Sequence, residues 1–143
     1  MEFKIGDDMM ENFKYRIWNK AEDIMYYPNN LDLEKWLVNM DGNLGCLNLS
    51  DMSWSGVIPK DFYEILPYTG FKDKNGKDIY EGDILTWDKF TNVDINIGFV
   101  SYKKGCFWIE NGVKIMPRPL KAEEYSRPEV IGNIYENKNL LEV

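Results

Sequence analysis

Apolar and polar residues alternate through Phe13-Lys14-Tyr15-Arg16-Ile17-Trp18. The alternation puts Phe13, Tyr15 and Ile17 on one face and Lys14, Arg16 and Trp18 on the other, which predicts a half-buried strand. A polar turn over Asn19–Asp23 leads back into Ile24-Met25-Tyr26-Tyr27, and Pro28-Asn29-Asn30 then breaks the chain. From Leu31 to Leu49 the pattern supports two readings. Leu33, Trp36, Leu37 and Met40 stand at helical spacing behind Asn30, a residue suited to capping. Asp41-Gly42, flanked by Trp36–Met40 and Leu44–Leu49, is a hairpin signal, and its specific turn geometry makes the hairpin the preferred reading. Asp51–Ser55 reads as a loop around Trp54. Pro59 suits the first position of a helical turn, and Phe62–Leu66 also fits a strand.

The most organised stretch runs from Tyr68 to Leu85. Asn75-Gly76 provides two residues that tolerate positive φ, as a tight turn between twisted strands requires. Gly70 and Gly82 add permissive positions. Ile84-Leu85-Thr86-Trp87 follows as a strand, and Asp88–Asp94 as a polar loop. Ile95–Tyr102 reads as another strand, with a bulge expected at Gly98. Lys103-Lys104-Gly105 turns it into Cys106-Phe107-Trp108-Ile109. Asn111-Gly112 is a further hairpin signal before Val113–Met116, and Pro117 and Pro119 are expected to end that strand. Val130–Tyr135 reads as a last strand and Asn137–Glu142 as a short helical turn. Closely spaced strands without long helices predict a mainly β fold, either a hairpin-rich small barrel or packed antiparallel sheets. The turn at Gly82-Asp83, followed by a strand and a hairpin, is similar to part of small SH3-like barrels.

Tyr68-Thr69-Gly70-Phe71-Lys72-Asp73-Lys74-Asn75-Gly76-Lys77-Asp78-Ile79-Tyr80-Glu81-Gly82-Asp83-Ile84 resembles the central signature of the YopX family of phage and prophage proteins. Lys14-Tyr15-Arg16-Ile17-Trp18-Asn19 is similar to the family's opening segment, and Glu129–Asn137 to its closing one. The three segments fall in family order over Phe13–Leu141, while Met25–Leu66 departs most from the pattern. The resemblance implies a phage or prophage origin, and it brings no catalytic residues to carry over. Residues 1–11 read as a flexible extension, with Met9 or Met10 as an alternative start, and 12–143 as one YopX-like β domain.

Composition narrows the chemistry. A net charge of −7 disfavours binding to phosphate backbones or anionic membranes. There is no histidine, so Ser-His-Asp and Cys-His mechanisms in their usual form are excluded. Cys46 and Cys106 are too few for a disulfide framework or a structural zinc site, and read as small buried hydrophobes. No apolar run is long enough to span a bilayer, and the N-terminus lacks a signal peptide's basic and apolar regions, which points to the cytoplasm. No cofactor is implied, since no phosphate-binding glycine loop is present.

Three functional readings remain. A binding or assembly module without catalysis, acting on a protein partner or on further copies of itself, fits an aromatic content of 15%. A nucleic-acid accessory would use a stacking platform drawn from Trp18, Trp36, Trp54, Trp87 and Trp108 and from tyrosines such as Tyr80, with Lys103, Lys104 and Lys114 flanking Phe107 and Trp108 as its basic part. A metal-dependent hydrolase would gather Asp73, Asp78, Glu81, Asp83 and Asp88. The Asp73–Asp78 run departs from calcium-loop spacing and reads as a solvated hairpin tip. Asp83, after the turn glycine and near Tyr80, is expected to bond turn backbone. Strand parity sets Trp108 opposite Phe107, and Trp18 opposite Tyr15, so one ring of each pair is expected to face outward.

Overall fold

The computed structural model describes residues 13–28, 34–87, 96–111, 118–120 and 128–142. Within them the protein is mainly β, built of antiparallel sheets, one of which is curled into a half barrel. The chain divides into two compact units, Arg16–Ile65 and Leu66–Val143, the second also taking in the N-terminal residues to Tyr15. The expected extension at 1–11, the polar loop at Asp88–Asp94 and the strand at Val113–Met116 lie outside the described residues.

In the Arg16–Ile65 unit, β1 (Tyr15–Asn19) pairs antiparallel with β2 (Ile24–Tyr26). The turn between them is closed by Asn19, whose Oδ1 accepts the N–H groups of Ala21 at 3.0 Å and Glu22 at 3.3 Å. The half-buried reading of this strand needs correction. Arg16, Ile17 and Trp18 are all buried, at 2%, 2% and 7% exposure. Consecutive side chains of β1, which lies between β2 and the start of β5 (Tyr63–Lys72), point to opposite faces, so burial of all three means that both faces of the strand are covered. Trp18 stands opposite Met25, also buried, and the Arg16 guanidinium lies 5.8 Å from the Tyr27 ring centroid.

The ambiguous stretch resolves as the hairpin. β3 (Glu34–Val38) and β4 (Leu44–Asn48) pair in continuous register from Glu34↔Asn48 to Val38↔Leu44. The loop spans Asn39–Asn43, longer than the two-residue turn that Asp41-Gly42 suggests. Its organiser is Asn39, whose Oδ1 accepts the N–H groups of Asp41 and Asn43 at 3.0 and 2.9 Å. A single 3-10 turn, Lys60–Phe62, follows Pro59 and leads into β5, so both readings of that segment hold.

In the other unit, β5 from Leu66 onward pairs with β6 (Asp78–Tyr80). A five-stranded sheet follows the order β10 (Arg118–Pro119), β9 (Cys106–Glu110), β8 (Ile97–Lys103), β7 (Asp83–Thr86) and β11 (Glu129–Asn133). Lys104 and Gly105 form the two-residue β8–β9 turn with φ of 51° and 78°, the positive pair that such a turn needs. The core gathers Ile79, Leu85, Val100, Ile109 and Leu120, with Phe71, Trp87, Phe107 and Val130 packed against it.

Two expectations change here. Gly98 makes no bulge, since its register with Leu85 is regular. A methyl group there would sit 2.9 Å from Ile109 Cγ2, so close packing explains the glycine. The irregularity falls instead on β11, between Val130 and Gly132. Pro119 does not terminate pairing; it lies in β10, a sheet edge where the missing N–H is tolerated. The C-terminal helical turn is present at Lys138–Leu141. Neither cysteine is in a disulfide, and both are half-buried. No helix among the described residues is long and apolar enough to cross a membrane.

Candidate functional site

The residues that the sequence singles out do not assemble into one place. Trp18 and Tyr80 are core residues, Tyr80 with its ring 5.6 Å from that of Tyr68. Trp87 packs half-buried on the core cluster. Lys103 grips the Glu110 carboxylate at 2.6 and 2.8 Å, which neutralises the cation expected to meet phosphate. Lys104 is exposed at the hairpin tip. Trp108 is half-buried and its Nε1–H donates to the Lys103 carbonyl at 2.9 Å. The expectation that Trp108 faces outward is corrected by that bond and by Pro119 of β10, which stands opposite it. Tyr102 is the exposed ring here, tilted against Phe107 with the ring centroids 5.1 Å apart.

The acidic residues have separate duties. Asp73 is 7% exposed and accepts three backbone N–H groups: Asn75 and Lys77 on Oδ1 at 2.8 and 2.9 Å, and Val130 on Oδ2 at 3.1 Å. Burial works to raise its pKa, yet the three N–H groups and the Lys77 charge outweigh it, and the carboxyl is held below its ordinary value. Asp78 lies 2.6 Å from both Lys14 and Lys72. Burial opposes ionisation there too, and the two lysines override it, so this carboxyl is also held low. Asp83 is 1% exposed and accepts the Tyr80 N–H at 2.8 Å, as the turn-bonding reading expects. Asp88 lies outside the described residues. No group of three or more His, Cys, Asp or Glu that could hold a metal ion occurs among the described residues.

A different feature stands out. In the Arg16–Ile65 unit the stretch from β3 onward leaves Leu37, Met40, Leu49, Met52, Trp54 and Val57 between 41% and 105% exposed. Ile24, Tyr27 and Phe62 of the same unit are exposed as well. The other unit, with the larger core, exposes only Phe13, Tyr102 and Ile131 among its described large apolar residues.

The hairpin's register explains this distribution. Trp36↔Cys46 and Val38↔Leu44 share one face, and Leu37↔Gly45 and Lys35↔Leu47 the other. The first face points inward: Leu44 is fully buried, and Trp36 packs tilted against Tyr26 with the ring centroids 5.1 Å apart. The second face carries Leu37, Leu47 and the ring of Trp54, which lies over Gly45 where a Cβ would overlap it. The segment after β4 returns antiparallel along that strand and holds Trp54 there. Asn48 N–H donates to the Ser53 carbonyl at 2.9 Å, Ser55 N–H to the Cys46 carbonyl at 3.0 Å, and Ile58 N–H to the Leu44 carbonyl at 2.8 Å. A glycine inside a strand, facing a tryptophan nine residues on, is the signal in the sequence that marks this face. Gly45→Ala is expected to push the ring off the sheet at a cost of about 1–3 kcal/mol, seen as a red shift of tryptophan emission and a lower urea midpoint.

The order of these strands and turns recurs in known proteins. A family model described as YopX protein matches residues 14–142. This chain belongs to the YopX family. Protein yopX from Bacillus subtilis has a similar crystal structure, with a TM-score of 0.67 at 20% identity over 90% of this chain and 98% of that one. Protein EF1440 from Enterococcus faecalis is similar with a TM-score of 0.54 at 25% identity, over 90% and 97% of the two chains. No curated protein matches the chain. The YopX resemblance that the sequence motifs carry is thus matched across the fold.

Proposed function

We propose that this YopX-family chain is a binding or assembly module without catalysis, and that it engages a protein partner on the outer face of the β3–β4 hairpin. The observation that carries the reading is the apolar face of Leu37, Leu47 and Trp54, set on a regular hairpin and left open. Large apolar groups gathered on one surface are an interaction signature, whereas scattered ones are ordinary. A phage or prophage origin and a cytoplasmic setting fit a partner from the host or the phage itself. A nucleic-acid strip at Lys103, Lys104 and Trp108 has less support, because Glu110 already compensates Lys103 and the Trp108 ring is tucked against its own hairpin. The acidic residues that a hydrolase would need are committed to backbone N–H groups and lysines.

Tagged wild-type chain and the double variant Leu37→Ser, Met52→Ser, both checked for native unfolding, are to capture proteins from host-cell extract. The expected result is a discrete set of proteins held by the wild type and lost from the variant. Identical capture by both would overturn the assignment of the face.

A further inference from the structure

We infer that the outer edge of β11 is a pairing edge that the chain itself occupies, and that clearing it lets a second copy of the chain add its own β11 there. The inference stands apart from the hairpin face above. β11 ends the five-stranded sheet, so it pairs with β7 on one side and turns backbone N–H and C=O groups outward on the other. Those outward groups are taken toward both ends of the strand. At the first end the Lys74 N–H donates to the Pro128 carbonyl at 2.9 Å, and the Val130 N–H donates to Asp73 Oδ2 at 3.1 Å. Lys74 Nζ lies 2.6 Å from the Glu129 carboxylate, and Asn75 Nδ2 donates to the same group at 3.5 Å. At the far end the Asn133 N–H donates to Asn137 Oδ1 at 3.2 Å, and the Asn137 N–H donates to the Asn133 carbonyl at 2.8 Å. Between the two caps lies the register shift, with Ile131 39% exposed. A bulge on an edge breaks the even spacing that an incoming strand needs.

The β5–β6 turn does not need β11 for its own closure. The Asp73 N–H donates to the Lys77 carbonyl at 2.7 Å, the Gly76 N–H to the Asp73 carbonyl at 3.0 Å, and Asp73 Oδ1 takes the Asn75 and Lys77 amides. Its further reach to Pro128, Glu129 and Val130 acts as a strap along the edge. An edge stripped of strap and cap is a template for another strand. A strand can pair antiparallel with its own copy about a two-fold axis. With Ile131 on that axis, Glu129 stands opposite Asn133 and no two carboxylates meet, which matters in a chain of net charge −7.

The test uses the full chain carrying Asp73→Asn and Asn137→Ala. Asparagine at 73 can keep its oxygen on the Asn75 and Lys77 amides, which turns its NH₂ toward the Val130 N–H and loosens the strap while the turn stays closed. Asn137→Ala removes the far cap. Light scattering at about 100 μM, after circular dichroism has shown the native β signal, should give about twice the wild-type mass. Ile131→Lys added to the pair of changes should return the mass to the wild-type value, because a lysine on an edge strand blocks strand addition. Tyr102→Lys adds the same charge on β8, an interior strand of the sheet, and should leave the larger species in place. Should the double variant fail to fold, the two single variants are read in the same way.

A folded variant that keeps the wild-type mass overturns the inference. So does a larger species that survives Ile131→Lys, since the contact then lies elsewhere. Equal dispersal by Ile131→Lys and Tyr102→Lys overturns it too, because added charge and not the edge would be acting.

Discussion

Asp83→Ala is expected to be the most damaging single change in the chain, lowering stability by about 3 kcal/mol. The side chain is 1% exposed and lies between the Glu81-Gly82 turn and Ile84 and Leu85, which are fully buried. Its carboxylate reaches back to the Tyr80 N–H at 2.8 Å and so closes the link between β6 and β7. Alanine leaves that amide buried without this acceptor, and an orphaned buried donor costs about 1–3 kcal/mol. It also opens a small void beside the core, which adds to the loss. Asp83→Asn keeps one side-chain oxygen that can accept the same N–H, so it should cost less than half as much. Urea unfolding reads both: at an m-value of about 2 kcal/mol/M, alanine should lower the midpoint by about 1.5 M without changing the slope. Equal effects of alanine and asparagine would show that charge, not the hydrogen bond, is what the turn needs.

The second large effect lies at Asp73 and depends on pH. One carboxylate ties the Asn75-Gly76 turn to β11 by accepting the N–H groups of Asn75, Lys77 and Val130. Neighbouring bonds share the load: Lys74 N–H donates to the Pro128 carbonyl at 2.9 Å, and Lys74 pairs with Glu129 at 2.6 Å. In Asp73→Asn the amide NH₂ must replace one accepting oxygen and oppose a backbone donor, for a loss of about 2–3 kcal/mol at neutral pH. The carboxyl's pKa is lower in the folded chain than its ordinary 3.8. Its contribution is therefore fully present above the unfolded value and is lost as the pH falls through the folded one. The wild-type advantage over Asp73→Asn should hold from neutral pH down to about pH 5 and shrink steeply below about pH 4. Unfolding midpoints of the two proteins across that range check it, and a gap that stays constant into acid would exclude Asp73 as the titrating group. Asp78, also held low by Lys14 and Lys72, gives both proteins a remaining acid sensitivity, made small by the partial exposure of its pairs.

How far the chain could be read from sequence follows the range of each interaction. Turn chemistry is local, so Asn75-Gly76, Lys104-Gly105 and the hairpin around Asp41-Gly42 all stand where the residues point. Strand alternation is also local, and most of the described strands from Tyr15 to Asn133 follow from it, β10 excepted. The faces are less legible. Alternation in β1 reads Arg16 as solvent-facing, but both faces of that strand are covered and it is buried. Asp73 looks like part of a solvated tip because its bond to Val130 links residues far apart in the chain. Large rings at Trp18, Trp87 and Trp108 suggest a platform, whereas their neighbours in space make them packing residues. Trp54, read as the centre of a loop and as one of five rings for a stacking platform, takes its meaning from Gly45, and no periodic pattern connects the two. The face they build lies in Met25–Leu66, the stretch where the family motifs are faintest.

The most direct test of the central claim is photo-crosslinking in the host cell, with a photoreactive amino acid placed at Leu37 and, separately, at Lys104. Both positions are exposed, one on the apolar hairpin face and the other on the β8–β9 turn. The account predicts a discrete protein adduct from position 37 and none from position 104. Adducts from 104 alone, or the same adducts from both, would contradict it.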